Sequence, residues 1–269
     1  MSDLKITALV ENTASGNLKA VHGLSFYIET PKHKILFDLG PNNTVFENAK
    51  KKNIDLSAVD TVIISHGHFD HGGALKEFLK ANDSAKVYIQ KTAFEPHYSK
   101  ALFFRINIGL DKSVMNNPNV VLLDGDCVID EELSLFVSKV PDTLRSDANK
   151  ALLTGRIPDD FRHEQNLLIK GERTVLITGC GHSGVISILK SVPGAKPDYC
   201  IGGFHVYNPV NRKTVPVGQL EALSESLNDY GDIEFYTCHC TGTKAYKYLS
   251  GRHSNIHYIS CGKEIEIRN

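Results

Sequence analysis

Long apolar runs are missing from this 269-residue chain. None approaches the roughly 18 consecutive apolar residues of a membrane-crossing helix, so no membrane partner is expected. Met1 to Glu11 shows no basic stretch leading into an apolar one. It runs straight into a strand pattern, and a cytoplasmic location is the expectation. Charge of one sign is also scarce: the formal net charge is −1 and the longest basic block is Lys50-Lys51-Lys52, so a nucleic-acid partner is not indicated. The six cysteines (Cys127, Cys180, Cys200, Cys238, Cys240 and Cys261) are scattered, which fits reduced thiols better than a disulfide framework. No segment rich in Pro, Gly or Ser marks a domain boundary and no low-complexity tract appears. The chain therefore reads as a single domain over 1–269.

What is present centres on Ser65-His66-Gly67-His68-Phe69-Asp70-His71-Gly72-Gly73, between an apolar β-branched run, Val59 to Ile64, and a helical stretch, Ala74 to Lys80. In an extended turn, residues two apart project to one side. His66 and His68 can thus converge on one cation while Asp70 and His71 face a neighbouring position. Imidazoles with a carboxylate suit zinc, manganese or ferrous iron. Without a metal, folding would have to find hydrogen-bond partners for every one of these groups.

Three further segments repeat the arrangement of strand, Gly/His turn and helix. Thr174 to Thr178 leads into Gly179-Cys180-Gly181-His182-Ser183-Gly184; Asp198 to Gly202 into Gly203-Phe204-His205; Ile233 to Thr237 into Cys238-His239-Cys240-Thr241-Gly242. In α/β proteins the carboxyl ends of strands are where ligand sites form. His182 and His239 are the additional ligand candidates, and His205 is a ligand, a proton carrier or a substrate-binding group. In a strand, Cys238 and Cys240 would point away from His239; the imidazole is favoured and the thiols are read as packed. Asp38, closing Leu36-Phe37-Asp38-Leu39-Gly40, is either a cap or a partner for a metal-bound imidazole. His22 borders the site, whereas His33, His97, His253 and His257 read as ordinary surface or core residues.

Around 97–119 and 140–165 the pattern loses regularity, as in lids or binding loops. Arg105, Lys112, Arg145, Arg156 and Arg162 lie there. They could hold an anionic substrate, although solvated surface charge is the plainer reading for each.

The H-x-H-x-D-H pattern, with Val10-Glu11-Asn12-Thr13, His22-Gly23-Leu24-Ser25, Leu36 to Gly40 and the three later strand ends, resembles the metallo-β-lactamase fold superfamily over nearly the whole chain. Within it, the match looks like the branch of the archaeal dihydropterin–ribofuranosylaminobenzene phosphate synthases and their bacterial relatives. The resemblance implies an α/β four-layer αββα sandwich holding one or two divalent ions, zinc first, with iron or manganese as alternatives. It places His66, His68 and His182 on one ion, Asp70, His71 and His239 on a second, and Asp38 behind them. One departure stands out. Most relatives carry a bridging Asp where this chain has Gly202-Gly203-Phe204-His205, so either His205 takes that position or the second ion is weak or absent.

The function expected from these residues is a metal-dependent hydrolase. An ion with an open position activates water against an ester-like or phosphoryl centre of a small molecule. Asp70 orients the nucleophile, and His205 stabilises the developing oxyanion or protonates the leaving group. Two alternatives remain open: a pterin-transferring synthase, and a metal-containing ligand-binding protein without turnover.

Overall fold

A computed structural model describes residues 4–101, 104–141 and 143–268. Positions 102, 103 and 142, inside the segments expected to be irregular, lie outside the described residues, as do Met1 to Asp3 and Asn269. The chain divides into two units, one of residues 1–96, 108–124 and 259–269, the other of residues 97–107 and 125–258. It passes between them four times, at 96/97, 107/108, 124/125 and 258/259, which is why no linker composition marks the division.

The first unit holds a seven-stranded sheet in the order Glu264–Ile267, Leu4–Val10, Ser25–Glu29, Lys34–Phe37, Thr61–Ile63, Lys86–Gln90 and Val120–Leu123. The amino-terminal strands form antiparallel pairs, Lys34–Phe37 returning across a short turn onto Ser25–Glu29. From Lys34–Phe37 onward the pairing is parallel. Apolar residues from both the strands and the helices make its core. Leu36, Val62 and Val87 of the sheet pack with Val45 and Ala49 of the Thr44–Lys51 helix and Phe78 of the Leu75–Ala81 helix. Burying a side chain such as Phe78 contributes about 1.5–3 kcal/mol.

The second unit carries its own seven-stranded sheet, in the order Ile256–Tyr258, Glu234–Thr237, Tyr199–Gly202, Val175–Ile177, Asn166–Ile169, Leu133–Phe136 and Cys127–Val128. Four neighbours, Val175–Ile177, Tyr199–Gly202, Glu234–Thr237 and Ile256–Tyr258, are parallel. The helices Val185–Ser191, Val217–Leu227 and Gly242–Ser250 bury Ile188, Leu223 and Ala245 against Leu176, Cys200 and Phe235. The repeated strand, turn and helix read from the sequence is the repeating element of this sheet.

The segments expected to be irregular are more ordered than their composition suggests. His97–Ala101, Phe104–Asn107, Leu152–Thr154 and Ile157–Pro158 form a separate four-stranded sheet. Its strands are short, and Phe104 to Asn107 are exposed throughout, so neither length nor a clear alternation announces them. Among the described residues no helix is long and apolar enough to cross a membrane.

Candidate metal centre

In the first unit the parallel strand Thr61–Ile63 delivers Ser65, His66 and His68 to its carboxyl end, and the short helix Phe69–Gly72 carries Asp70 and His71. Ser65, His66 and His71 are fully buried and His68 nearly so. The His66 ring centroid lies 4.6 Å from that of His68 and 4.1 Å from that of His71. Asp38 organises the group from beneath. Its Oδ1 accepts the Ser65 amide at 2.7 Å, and its Oδ2 accepts the Ser65 hydroxyl at 2.7 Å and stands 2.6 Å from His71 Nδ1. Because the Ser65 hydroxyl donates to Asp38, its lone pairs face His66 Nδ1, 2.8 Å away. Both rings therefore carry their proton on Nδ1, and both ε nitrogens are left as lone-pair donors. Of the two readings open for Asp38, the geometry selects the partner of imidazoles.

His22 Nε2 is 3.2 Å from Asp70 Oδ2, which is itself 3.9 Å from His71 Nε2. Gly23 permits this approach: its φ is +152°, and a Cβ there would meet the Asp70 carbonyl at 2.5 Å. Leu24 donates its amide to that same carbonyl.

In the second unit, His182, His205 and His239 follow the ends of adjacent parallel strands. His182 is held on every side. Its Nδ1 is 3.0 Å from Asn149 Oδ1, its carbonyl accepts from Asn149 Nδ2 at 2.9 Å, and its ring stacks on Phe161 at 4.6 Å and 6°. The Glu164 carboxylate accepts the amides of His182 and Ser183 at 2.7 and 2.8 Å. Burial pushes this carboxyl above the ordinary carboxylate value, against the lowering effect of those hydrogen bonds. Asn149, acting as acceptor, fixes the proton of His182 on Nδ1, so His182 too presents its ε nitrogen as a donor.

The His205 and His182 rings are 4.0 Å apart. His205 adopts φ +44°, its carbonyl accepts the Ser146 hydroxyl, and its buried Nδ1 has no hydrogen-bond partner among the described residues. His239 stands at φ +48°. Strand geometry is thereby lost after Cys238, and the expected separation of the imidazole from both thiols does not hold. One donor atom each from Cys180, His239 and Cys240 lie within 4.8 Å of one another, as do those of Cys180, His182 and His205. Burial would raise the Cys240 thiol, yet hydrogen bonds to Cys180 and His205 and the nearby His239 ring bring it well below the ordinary thiol value.

The sequence pattern of the metallo-beta-lactamase superfamily matches residues 18–196. The chain belongs to this superfamily. It is 30% identical to protein MJ0448 of Methanocaldococcus jannaschii, over 97% of this chain and all of that one. From the same organism, 7,8-dihydropterin-6-methyl-4-(beta-D-ribofuranosyl)-aminobenzene-5'-phosphate synthase is 28% identical over 91% of this chain and 90% of its own. Among solved structures, Tm1679, described as a metal-dependent hydrolase of the beta-lactamase superfamily, superposes with a TM-score of 0.81 at 25% identity, covering 99% of this chain and all of that one. The fold class is the mixed α/β sandwich class of the superfamily.

As a member of the metallo-beta-lactamase superfamily, the chain is expected to bind divalent metal, and its histidines suit that. Nδ1 is engaged in His66, His71 and His182, and a buried nitrogen of His205 lacks a partner. The strand end Gly202-Gly203 is tightly enclosed. A Cβ at Gly202, whose φ is +144°, would meet the Thr178 carbonyl at 2.0 Å, and one at Gly203 would meet Cys240 Sγ at 2.3 Å. At Gly202 the obstacle is backbone, so no side chain fits there without moving the Thr178 strand end; at Gly203 it is the Cys240 side chain. His33, His253 and His257 pair with Asp60, Ser224 and Glu234, as ordinary residues do. His97 is the core case of that plain reading: it is fully buried beside Asp159 and His163, two residues that no spacing in the sequence singles out.

Proposed function

We propose that the protein is a metal-dependent hydrolase acting on a small anionic molecule with an ester-like or phosphoryl centre. The observation that carries this reading is the shared state of His66, His71 and His182: each has its Nδ1 engaged by a buried or strand-end polar group, which directs an ε nitrogen outward as a ligand. His66, His68 and His182 would hold the first divalent ion, zinc before iron or manganese. Asp70, His71 and His239 would hold the second. When bound, such an ion would lower the pKa of a water molecule to about 7 and would polarise the oxygen of the carbonyl or phosphoryl centre under attack. Asp70, steadied by His22, orients the attacking water. His205 holds a proton at its ring for the leaving group or stabilises the developing oxyanion.

The substrate's negative charge is met by Arg145 and Lys139. Both line a cleft of about 410 Å³ with Pro141, Phe161, His182 and Ser183. Arg145 lies over the Phe161 ring at 5.5 Å and donates to the Asp159 carbonyl, so its guanidinium is set in place beforehand. Of the basic residues considered from sequence, Arg145 is the one that this cleft includes.

A second reading rests on the 28% identity to the dihydropterin synthase over nine-tenths of the chain. A pterin would then be joined to an aromatic amine with loss of pyrophosphate, and His205 would protonate the departing group. Zinc-loaded protein assayed against phosphate esters, lactones and phosphodiesters, beside a dihydropterin pyrophosphate with its amine partner, separates the two. Turnover of a hydrolytic substrate, abolished by His66→Ala or His68→Ala, supports the hydrolase. Coupling of pterin and amine without hydrolysis overturns it.

A further inference from the structure

His182 is set by a carboxylate that nothing in the sequence singles out. Gly181 to Gly184 form a tight turn, the Gly184 amide donating to the Gly181 carbonyl at 3.0 Å. The two middle amides of that turn, those of His182 and Ser183, donate to Oε1 and Oε2 of Glu164 at 2.7 and 2.8 Å. Glu164 is 2% exposed and lies 18 residues before His182 in the chain. It ends a loop begun by Asp159, whose Oδ1 accepts the Phe161 amide at 2.9 Å; the Glu164 amide in turn donates to the Phe161 carbonyl at 2.9 Å. Phe161 stands at φ +58°, a conformation that a bulky residue holds only where its surroundings impose it. Its ring is the one stacked on His182. One short loop thus grips His182 twice, at the ring through Phe161 and at the backbone through Glu164.

Burying a carboxylate is costly. Turn amides are ordinarily met by water or by short hydroxyl, Asn or Asp side chains close in sequence. A longer carboxylate reaching in from another loop therefore calls for a role beyond closing the turn. The residues assigned to the first ion, His66, His68 and His182, are all imidazoles, which are neutral when they act as ligands. They bring no negative charge to a dication. Glu164 places one behind His182, as Asp38 places one behind His71.

We propose that Glu164 is a positioning residue for the metal centre. Its two oxygens fix the His182 and Ser183 peptides, and so the place from which the His182 ε nitrogen reaches out, while its charge offsets that of the ion. The inference rests on the reading of His182 as a ligand.

Cobalt-loaded protein tests it, because the visible bands of bound cobalt report ligand geometry without any substrate. Glu164→Gln keeps the volume but turns an NH2 group toward one of the two amides, donor against donor. The expected result is a folded protein with altered cobalt bands and a zinc affinity, by chelator competition, lower by about 10–100-fold. Glu164→Asp keeps both acceptors one methylene further back and is expected to fall between Glu164→Gln and wild type; it is the test variant should Glu164→Gln not fold. Unchanged cobalt bands with a zinc affinity within twofold of wild type, in whichever variant folds, would overturn the proposal and leave Glu164 a support of the fold alone. Wild type that binds neither cobalt nor zinc would instead overturn the assignment of His182 as a ligand, and this inference with it.

Discussion

Asp38 Oδ2 lies 2.6 Å from His71 Nδ1 and also accepts the Ser65 hydroxyl, so one buried carboxylate sets the proton positions of two imidazoles. Asp38→Asn keeps the volume but gives up the charge and one acceptor. Zinc affinity, measured by competition with a chelator, should fall about 10–100-fold. An affinity within twofold of wild type would mean that His71 is not a ligand.

The Asn149 side chain bonds His182 twice, once to the ring and once to the carbonyl. Removing a buried partner of this kind costs about 1–3 kcal/mol. Asn149→Ala should therefore lower the melting temperature by several degrees and weaken zinc binding, with the Phe161 stack retaining part of the ring's orientation. A fall in stability with metal affinity untouched would place His182 outside the metal site.

Gly202 and Gly203 leave no space for a Cβ. Gly202→Asp, which would place a carboxylate at this strand end, should not create a tighter second-metal site here. It should destabilise the fold by ~2 kcal/mol or more, as expected of a forced close contact at a left-handed backbone position. A folded Gly202→Asp protein that binds two ions more tightly than wild type would refute the steric explanation.

None of the six cysteines is in a disulfide, and five of them are buried, Cys127 being the exception. Burial pushes the Cys200 thiol up to about 12 and Cys261 up to about 11. Raised values keep both protonated well above neutral pH, and only the thiolate reacts. A disulfide reagent at pH 8 should label one thiol of the native protein, with the other five reacting after denaturation. Rapid labelling of Cys200 or Cys261 in the native state would contradict the packing described.

The strand, histidine and helix repeats were legible in the sequence because each combines an apolar β-branched run with a glycine-rich turn and a helical period. The cluster of His66, His68, Asp70 and His71 was legible because four residues able to act as ligands fall within six positions. Asp38 was ambiguous, since a carboxylate closing a strand serves equally well as a cap; only its contacts with Ser65 and His71 decide. The relation of His239 to Cys240 was misjudged because strand alternation was extended through a residue that turns left-handed. His97, Asp159 and His163 gave no signal at all. They come from one short strand and a loop some 60 residues away, and neither spacing nor periodicity links them.

On the proposed function, the strand-end histidines bind metal and turnover needs it. Elemental analysis of protein purified without added metal, in wild type beside His66→Ala and His68→Ala, tests it most directly. The expected result is at least one divalent ion per chain in the wild type, with metal content lower by at least one ion and turnover abolished in both variants. Full turnover from metal-free protein, or unchanged metal content in both variants, would contradict it.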